Sequence, residues 1–162
     1  MENFINKKNI IFSEDIRGNF KKVYDSDKLM KLNNVKEVFV TKSVKNTLRG
    51  MHYQPGPYAL NKIVVCLEGK IVDVIVNIDK TDKEFGKVYH VELEENESIF
   101  VPSNYAHGYY CIEDSTLMYL TDNMYSKENE KGVFWNSINF NWPKKNFILS
   151  ERDKSFNELD SL

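Results

Sequence analysis

One short stretch, residues 48–54, concentrates polar chemistry between two apolar segments. In it the Arg49 guanidinium precedes the His52 imidazole, and Gly50 lies between them. Imidazole is the side chain best suited to moving a proton near neutral pH. Strict alternation along a strand puts Arg49 and His52 on opposite faces, whereas a bulge at Gly50 would bring both to one cavity. Without that bulge Arg49 is a surface cation, and His52 alone is also compatible with a hydrogen-bonded core histidine.

Three further side chains could complete a proton-transfer site with His52. Lys62 begins an apolar strand, where it would either extend to solvent or point inward as a cation able to stabilise an oxyanion. Tyr119 lies in another apolar strand and is either a core tyrosine with a bonded hydroxyl or an acid. Asp153 matters only if the C-terminal segment folds back to orient the imidazole. Convergence of these side chains in one cavity is therefore the decisive structural test.

The sequence predicts neither a metal centre nor a cofactor site. Gln54 occupies the position where a His-x-His pair would place its second histidine, and His107 would be a lone additional ligand. Two histidines without a nearby third ligand make a poor metal site. The chain also lacks a Gly-rich phosphate loop, a Gly-x-Ser-x-Gly motif and a Cys-x-x-Cys motif.

The length and net charge of the chain limit the kinds of function it can have. The 162 residues fit one domain, residues 1–162. A net charge of -2 provides no strong field for nucleic acid or membrane, so neither partner is expected. The first eight residues do not resemble a signal peptide, which favours a cytoplasmic protein. Cys66 and Cys111, in apolar surroundings, are expected to be buried free thiols.

Short strands must position the candidate residues, because Val, Ile and aromatic residues recur between frequent turns. A short helix is predicted over residues 28–32, capped by Ser26 and Asp27. Predicted strands cover residues 9–12, 20–24, 35–45, 48–54, 62–67, 70–78, 87–93, 98–101 and 115–121. In the strand over 70–78, Asp73 and Asn77 share a face opposite an entirely apolar one, which indicates a cavity side and a core side. This pattern predicts an all-β fold, a double-stranded jelly-roll barrel with a ligand cavity and little helix.

An ordered set of motifs covers nearly the whole chain. It comprises Arg17-Gly18-Asn19-Phe20, 48–54, 61–64, 69–78, 85–87, 101–108, 115–120, 141–143 and 149–153. Together they resemble the dTDP-4-dehydrorhamnose 3,5-epimerases and related nucleotide-sugar epimerases. The resemblance implies a cupin-type jelly roll, a homodimer with residues shared across the interface, and neither a metal nor an organic cofactor.

The resemblance also implies catalytic roles on a nucleoside-diphosphate 4-keto sugar. His52 corresponds to the base that removes a proton beside the ketone, and Asp153 corresponds to the carboxylate that orients and charge-balances it. Lys62 corresponds to the cation over the C4 oxygen of the enolate. Tyr119 corresponds to the acid that reprotonates the opposite face.

Substrate binding is implied for Arg17, Phe20, Arg49, Gln54, Asp73, His107 and Tyr125. Arg49, His107 and Arg17 match positions that grip the diphosphate, with Arg17 reaching in from the partner subunit. Tyr125 matches an aromatic residue that lines the sugar. Asp73 matches a carboxylate near the base.

Departures from the family pattern leave the substrate open. Phe20 is followed by Lys21 and Lys22, where the family usually has an acidic residue that contacts the nucleobase. The nucleotide is therefore dTDP, GDP or another, the sugar is a deoxyhexose or a heptose, and C3, C5 or both could be inverted. Alternatives are a single-centre C3-epimerase, a 3,4-ketoisomerase, which Gln54 in place of the second histidine disfavours, and a non-catalytic sugar-binding jelly roll. The leading hypothesis is a metal-independent epimerase in surface polysaccharide sugar biosynthesis.

Overall fold

The computed structural model describes residues 6–25, 32, 34–144 and 146–162 of the chain. Its strands are β1 Lys8–Asn9, β2 Ile11–Asp15, β3 Gly18–Lys22, β4 Glu37–Ser43, β5 Leu48–Tyr53, β6 Lys62–Glu68, β7 Lys70–Asn77, β8 Val88–Glu94, β9 Glu97–Val101, β10 Tyr105–Cys111, β11 Ser115–Thr121 and β12 Lys131–Gly132. One α-helical turn, α1 Glu151–Lys154, and 3-10 turns at Gly56–Tyr58, Trp135–Ser137 and Leu159–Ser161 complete the regular structure.

Two antiparallel five-stranded sheets form the barrel. One has the order β1-β9-β6-β11-β4 and the other the order β12-β5-β10-β7-β8, while β2 and β3 form a separate hairpin. Apolar residues of both sheets meet in one buried cluster, which includes Val64, Ile75 and Leu117. The all-β jelly-roll prediction is confirmed.

Strand β7 is buried on both faces. Ile71 and Ile75 belong to the apolar cluster that both sheets share. Val72 and Val74 belong to a second cluster, which contains Trp142 of the C-terminal segment. The predicted division into two faces is confirmed, but the prediction that Asp73 and Asn77 face the cavity is wrong, because neither lines it. The C-terminal segment covers the valine face.

The C-terminal segment continues across this second sheet and returns to β5. Trp142 donates its indole N–H to the carbonyl of Trp135 at 3.1 Å, which ties one turn of the segment to another. Leu48 N donates to Ile148 O at 3.0 Å, so the chain reaches the beginning of β5 just before α1. Docking of this segment therefore brings α1 alongside the strand that carries His52.

Strand β5 contains the predicted bulge. His52 lies opposite His107, but Arg49 lies opposite Tyr109, so β5 has one residue more than β10 over this step. Gly50 has a φ of +127°, and a Cβ there would lie 2.5 Å from Gly108 Cα. Only glycine fits such a close approach at positive φ. As a result, Arg49 and His52 line the same cavity.

Two sequence predictions of elements were wrong or incomplete. Strand β10 was not predicted, because histidine, glycine and tyrosines obscure its alternation. The strand predicted over residues 20–24 begins earlier, as β3 Gly18–Lys22, because the Asp15 carboxylate accepts the Arg17 N–H at 2.9 Å and closes a tight turn at residues 16 and 17. The helix predicted over residues 28–32, with its cap, lies outside the described residues except for Leu32.

Cys66 and Cys111 are buried free thiols, as predicted. Burial raises the pKa of Cys66 to about 12 and that of Cys111 to about 11. Both therefore stay protonated and unreactive near neutral pH. No helix among the described residues is long and apolar enough to cross a membrane.

Candidate active site

A cavity of about 940 Å³ opens into the barrel between the two sheets. His52, Lys62, Tyr119 and Asp153 all line it. His52 projects from β5 in one sheet, whereas Lys62 and Tyr119 project from β6 and β11 in the other. The four candidates therefore converge, with the imidazole and the phenol on opposing walls.

His52 and Asp153 form a hydrogen-bonded pair. His52 Nε2 lies 2.9 Å from Asp153 Oδ1, and the Gly50 N–H donates to Asp153 Oδ2 at 3.0 Å. Ser150 caps α1 by accepting the Asp153 N–H at 3.0 Å. Burial favours a higher pKa for Asp153, but the hydrogen bonds from His52 and Gly50 outweigh it, so the pKa is lowered. The ionised carboxylate requires a proton on Nε2, which leaves the other ring nitrogen as the basic one.

Lys62 points into the cavity, so it is not a solvent-extended strand end. Burial lowers its pKa to about 8, while the negative charges of Glu130 and Asp73 act in the opposite direction. The amine is therefore still mainly an ammonium at neutral pH. A cation held in a low-dielectric cavity is suited to stabilising a developing oxyanion.

Tyr119 is 6% exposed and stacks on Phe39, with ring centroids 4.9 Å apart and planes at 10°. Burial raises its pKa well above the usual value, and the neighbouring Tyr109 and Asp73 act in the same direction. The phenol is therefore fully protonated near neutral pH. A fixed, protonated phenol can donate a proton to a ligand in the cavity.

A second histidine–carboxylate pair lies one strand away. His107 Nε2 is 2.7 Å from Asp73 Oδ2, and Asp73 is fully buried. Asp73 was expected near the base, but it pairs with His107, which is the register partner of His52. Asp73 Oδ1 has no hydrogen-bond partner among the described residues. Burial lowers the pKa of His107 against the opposing effect of Asp73.

The position of His107 restricts how it could contact a ligand. Its side chain lines the cavity but is only 4% exposed. Since Nε2 is engaged with Asp73, only Nδ1 is left for the diphosphate contact that the family resemblance implies, and it donates a hydrogen bond only when the ring is protonated.

Polar residues ring the rest of the cavity. Arg49 Nε donates to Ser43 Oγ at 2.9 Å, so its guanidinium is anchored at the wall. The Tyr125 hydroxyl donates to Glu130 Oε2 at 3.1 Å, and Glu130 also pairs with Arg152. Glu130 and Arg152 also line the cavity, and neither was predicted from the sequence. Two features of the sequence could have indicated them. Arg152 is adjacent to Asp153, and Glu130 immediately precedes β12.

Besides Asp73, which is fully buried and does not line the cavity, three predicted substrate-binding residues are placed differently from the others. Arg17 and Phe20 lie on the exposed β2–β3 hairpin, where Arg17 pairs with Asp15 at 2.5 Å, and neither lines the cavity of its own chain. Gln54 lines the cavity, but its Nε2 donates to Tyr58 O and Met124 O at 2.7 and 3.2 Å. Its Oε1 accepts the Ser126 N–H at 2.7 Å. Both ends of the Gln54 amide thus anchor the backbone around Tyr125.

The described residues contain no group of three or more His, Cys, Asp and Glu side chains placed to hold a metal ion. The groups that do converge are a histidine–carboxylate pair, an ammonium and a protonated phenol. An antiparallel jelly-roll barrel with these groups around its cavity has the construction of a proton-transferring isomerase.

Comparisons with known proteins agree with this class. The family profile described as dTDP-4-dehydrorhamnose 3,5-epimerase matches residues 5–161. The dTDP-4-dehydrorhamnose 3,5-epimerase of Shigella flexneri is 42% identical over 118 residues, which are 70% of this chain and 65% of that protein. The Salmonella typhimurium enzyme of the same name is 35% identical over 156 residues, which are 90% of this chain and 85% of that protein.

Solved structures give the same result. The dTDP-4-dehydrorhamnose 3,5-epimerase of Sulfolobus tokodaii aligns with a TM-score of 0.88 and 32% identity, covering 96% of this chain and 90% of that one. The Bacillus anthracis enzyme, solved with TDP and PPi bound, aligns with a TM-score of 0.87 and 28% identity, covering 98% and 97%. The chain belongs to the dTDP-4-dehydrorhamnose 3,5-epimerase family, a family of isomerases with the cupin-type jelly-roll fold. The predictions of family, fold and epimerase class are confirmed.

Proposed function

We propose that this protein is a metal-independent epimerase that inverts C3, C5 or both in a nucleoside-diphosphate 4-keto sugar. The observation that carries the proposal is the convergence of the His52–Asp153 pair, Lys62 and Tyr119 around one cavity. Each group matches one requirement of inversion beside a ketone, namely a base, an enolate stabiliser and an acid.

The first step is removal of a proton from a carbon next to the C4 ketone. The basic ring nitrogen of His52 takes the proton, the C–H electron pair forms the C3=C4 or C4=C5 double bond, and the carbonyl π pair moves onto the C4 oxygen. Asp153 balances the imidazolium that forms, as the 2.9 Å contact supports. Lys62 supplies the positive charge where the enolate oxygen develops, so the chemistry does not call on a metal ion.

The second step returns a proton from the other side. Tyr119 donates its phenolic proton to the same carbon, and the enolate collapses to the ketone with inverted configuration. The placement of His52 and Tyr119 on opposing sheets supports this division of roles. Exchange with solvent then removes the proton from His52 and restores the one on Tyr119.

The remaining cavity residues supply binding contacts in this proposal. Arg49 and His107 contact the diphosphate, and Tyr125 contacts the sugar. Arg17 and Phe20 act on the partner subunit of a homodimer, which their position on the exposed hairpin supports. The presence of TDP in the Bacillus anthracis relative supports a nucleotide-linked substrate. An activated sugar of this kind, used for surface polysaccharide, is compatible with the cytoplasmic location that the sequence predicts.

Deuterium incorporation from D₂O into candidate 4-keto sugars tests the proposal. Incorporation at C3 and C5 identifies a double epimerase, and incorporation at one carbon identifies a single-centre enzyme. Movement of the carbonyl would instead identify a 3,4-ketoisomerase. His52→Asn is expected to abolish incorporation, whereas Tyr119→Phe should retain incorporation and lose inversion. Absence of exchange with dTDP-, GDP- and heptose-linked 4-keto sugars would overturn the proposed activity.

A further inference from the structure

One aromatic side chain outside the cavity contacts the His52 imidazole. The Phe156 ring centroid lies 5.5 Å from that of His52, with the planes at 84° in an edge-to-face arrangement. Phe156 follows α1 and does not line the cavity. It can therefore influence the imidazole without touching a bound sugar.

A glycine makes room for this ring. A Cβ at Gly132 would lie 2.3 Å from Phe156 Cε2, so any larger residue would displace the phenyl group. Gly132 is the register partner of His52 in the β12–β5 pair. Phe156 therefore fills the space next to His52 that a side chain at position 132 would occupy.

A cation also packs against the Phe156 ring. The Arg152 guanidinium lies 5.5 Å from the Phe156 ring centroid and pairs with Glu130. Phe134 N donates to Asn157 O at 2.7 Å immediately beyond the ring. Residues around β12 therefore hold the chain on both sides of Asp153, at Arg152 and at Phe156–Asn157.

We propose that Phe156 is a positioning residue for the His52 base: seated on Gly132, it fixes the imidazole plane so that Nε2 faces Asp153. The inference rests on the proposed function, in which His52 is the base. The terminal torsion of histidine is broad, so one hydrogen bond leaves the ring plane poorly defined. An edge-on aromatic wall removes that freedom and keeps the second ring nitrogen available to the cavity.

Kinetics of Phe156 variants test this role. Phe156→Ala and Phe156→Leu should lower the rate of deuterium incorporation by roughly 10- to 100-fold, as expected for a misplaced catalytic group. KM should change little, because Phe156 does not line the cavity. Gly132→Ala should produce a similar loss by displacing the ring, and it should cost little more once Phe156 is already alanine. Equal, independent losses from the two substitutions would contradict the packing relation.

A spectroscopic readout separates positioning from general stability. The chain has three histidines, so their imidazole nitrogen signals are few enough to assign by NMR with His52→Asn as reference. Phe156→Ala should change the tautomer signals of His52 and leave those of His107, which is bonded to Asp73, unchanged. If the alanine variant does not fold, Phe156→Leu gives the same comparison.

The outcomes are distinguishable from those of the proposed activity. Wild-type exchange together with unchanged rate and unchanged His52 signals in both Phe156 variants would overturn the positioning role and leave the activity intact. Absence of wild-type exchange would overturn the activity, and the NMR comparison would still decide whether Phe156 orients the imidazole.

Discussion

Asp153 determines how the candidate base is presented. Its two carboxylate oxygens engage His52 and the Gly50 N–H, so the residue orients the imidazole and the bulged backbone together. Asp153→Asn preserves the shape but removes the charge and allows the wrong histidine tautomer. The rate of deuterium incorporation should fall by about 10²-fold or more.

The control for this substitution is Asp160→Asn, an exposed carboxylate in the last 3-10 turn. It should leave the rate unchanged. Near-wild-type exchange by Asp153→Asn, with normal thermal unfolding, would remove Asp153 from the mechanism.

Lys62 predicts an alkaline limit to activity. Its pKa of about 8 means that the amine is an ammonium below that pH and neutral above it. Since the enolate needs the cation, kcat/KM should fall by about tenfold per pH unit above about pH 8. Tyr119 titrates much higher and adds no limb in this range.

Two variants test whether Lys62 causes the decline of kcat/KM above about pH 8. Lys62→Arg keeps its charge to far higher pH, so any remaining activity should no longer decline near pH 8. Lys62→Met should be inactive throughout. A decline at the same pH in Lys62→Arg would assign the limb to another group.

Residue identities were more predictable than residue partners. Motif order was enough to select His52, Lys62, Tyr119 and Asp153, since each lies in a recognisable local pattern. The pairing of Asp73 with His107 was not predictable, because it depends on the alignment of β7 against β10. Glu130 was missed for a similar reason, as its partner Arg152 comes from the separate C-terminal segment.

At the scale of elements, the bulge in β5 is the feature that aligns Arg49 with His52. Gly50→Ala would place a Cβ 2.5 Å from Gly108 Cα and 2.8 Å from His107 O, at a φ of +127°. Strain and overpacking together should lower the free energy of unfolding by about 3 kcal/mol. Activity should fall with it, because β5 must shift against β10. Chemical denaturation and deuterium incorporation measure the two effects.

Gly18→Ala provides the matched control. Gly18 has a φ of +120°, but nothing lies within 4 Å of the added Cβ. Only the backbone strain remains, so the cost should be about 1 kcal/mol. Equal losses of stability in the two variants would show that the close contact with β10 contributes nothing.

The elements themselves were predictable where alternation is clean. Strand β11 matches its predicted bounds, and β7 its predicted faces, because β-branched and apolar residues alternate regularly there. The bulge was predictable because Gly50 separates two polar side chains that need one cavity. Strand β10 was missed because the run from Tyr105 to Cys111 is buried throughout and shows no alternation.

At the scale of the whole molecule, the β2–β3 hairpin supplies no residue to its own cavity. If Arg17 acts on a partner subunit, activity depends on two chains. Mixed dimers of Arg17→Ala and His52→Asn subunits then contain one intact site and one doubly defective site. At low substrate concentration they should be clearly more active than either parent homodimer.

The mixed dimers can be isolated by co-expression with two different affinity tags. If Arg17 served its own chain, each site of the mixed dimer would carry one lesion and no activity would be recovered. A monomeric mass in light scattering would contradict the shared-residue arrangement directly.

The return of the C-terminal segment to β5 has a consequence for protein synthesis. His52, Lys62 and Tyr119 leave the ribosome well before Asp153, which is 101 positions beyond the histidine it orients. A chain interrupted between β12 and α1 would carry the barrel strands but lack the carboxylate behind the base. If Asp153 orients the base as proposed, efficient proton transfer begins only once translation has passed this point and the segment has docked.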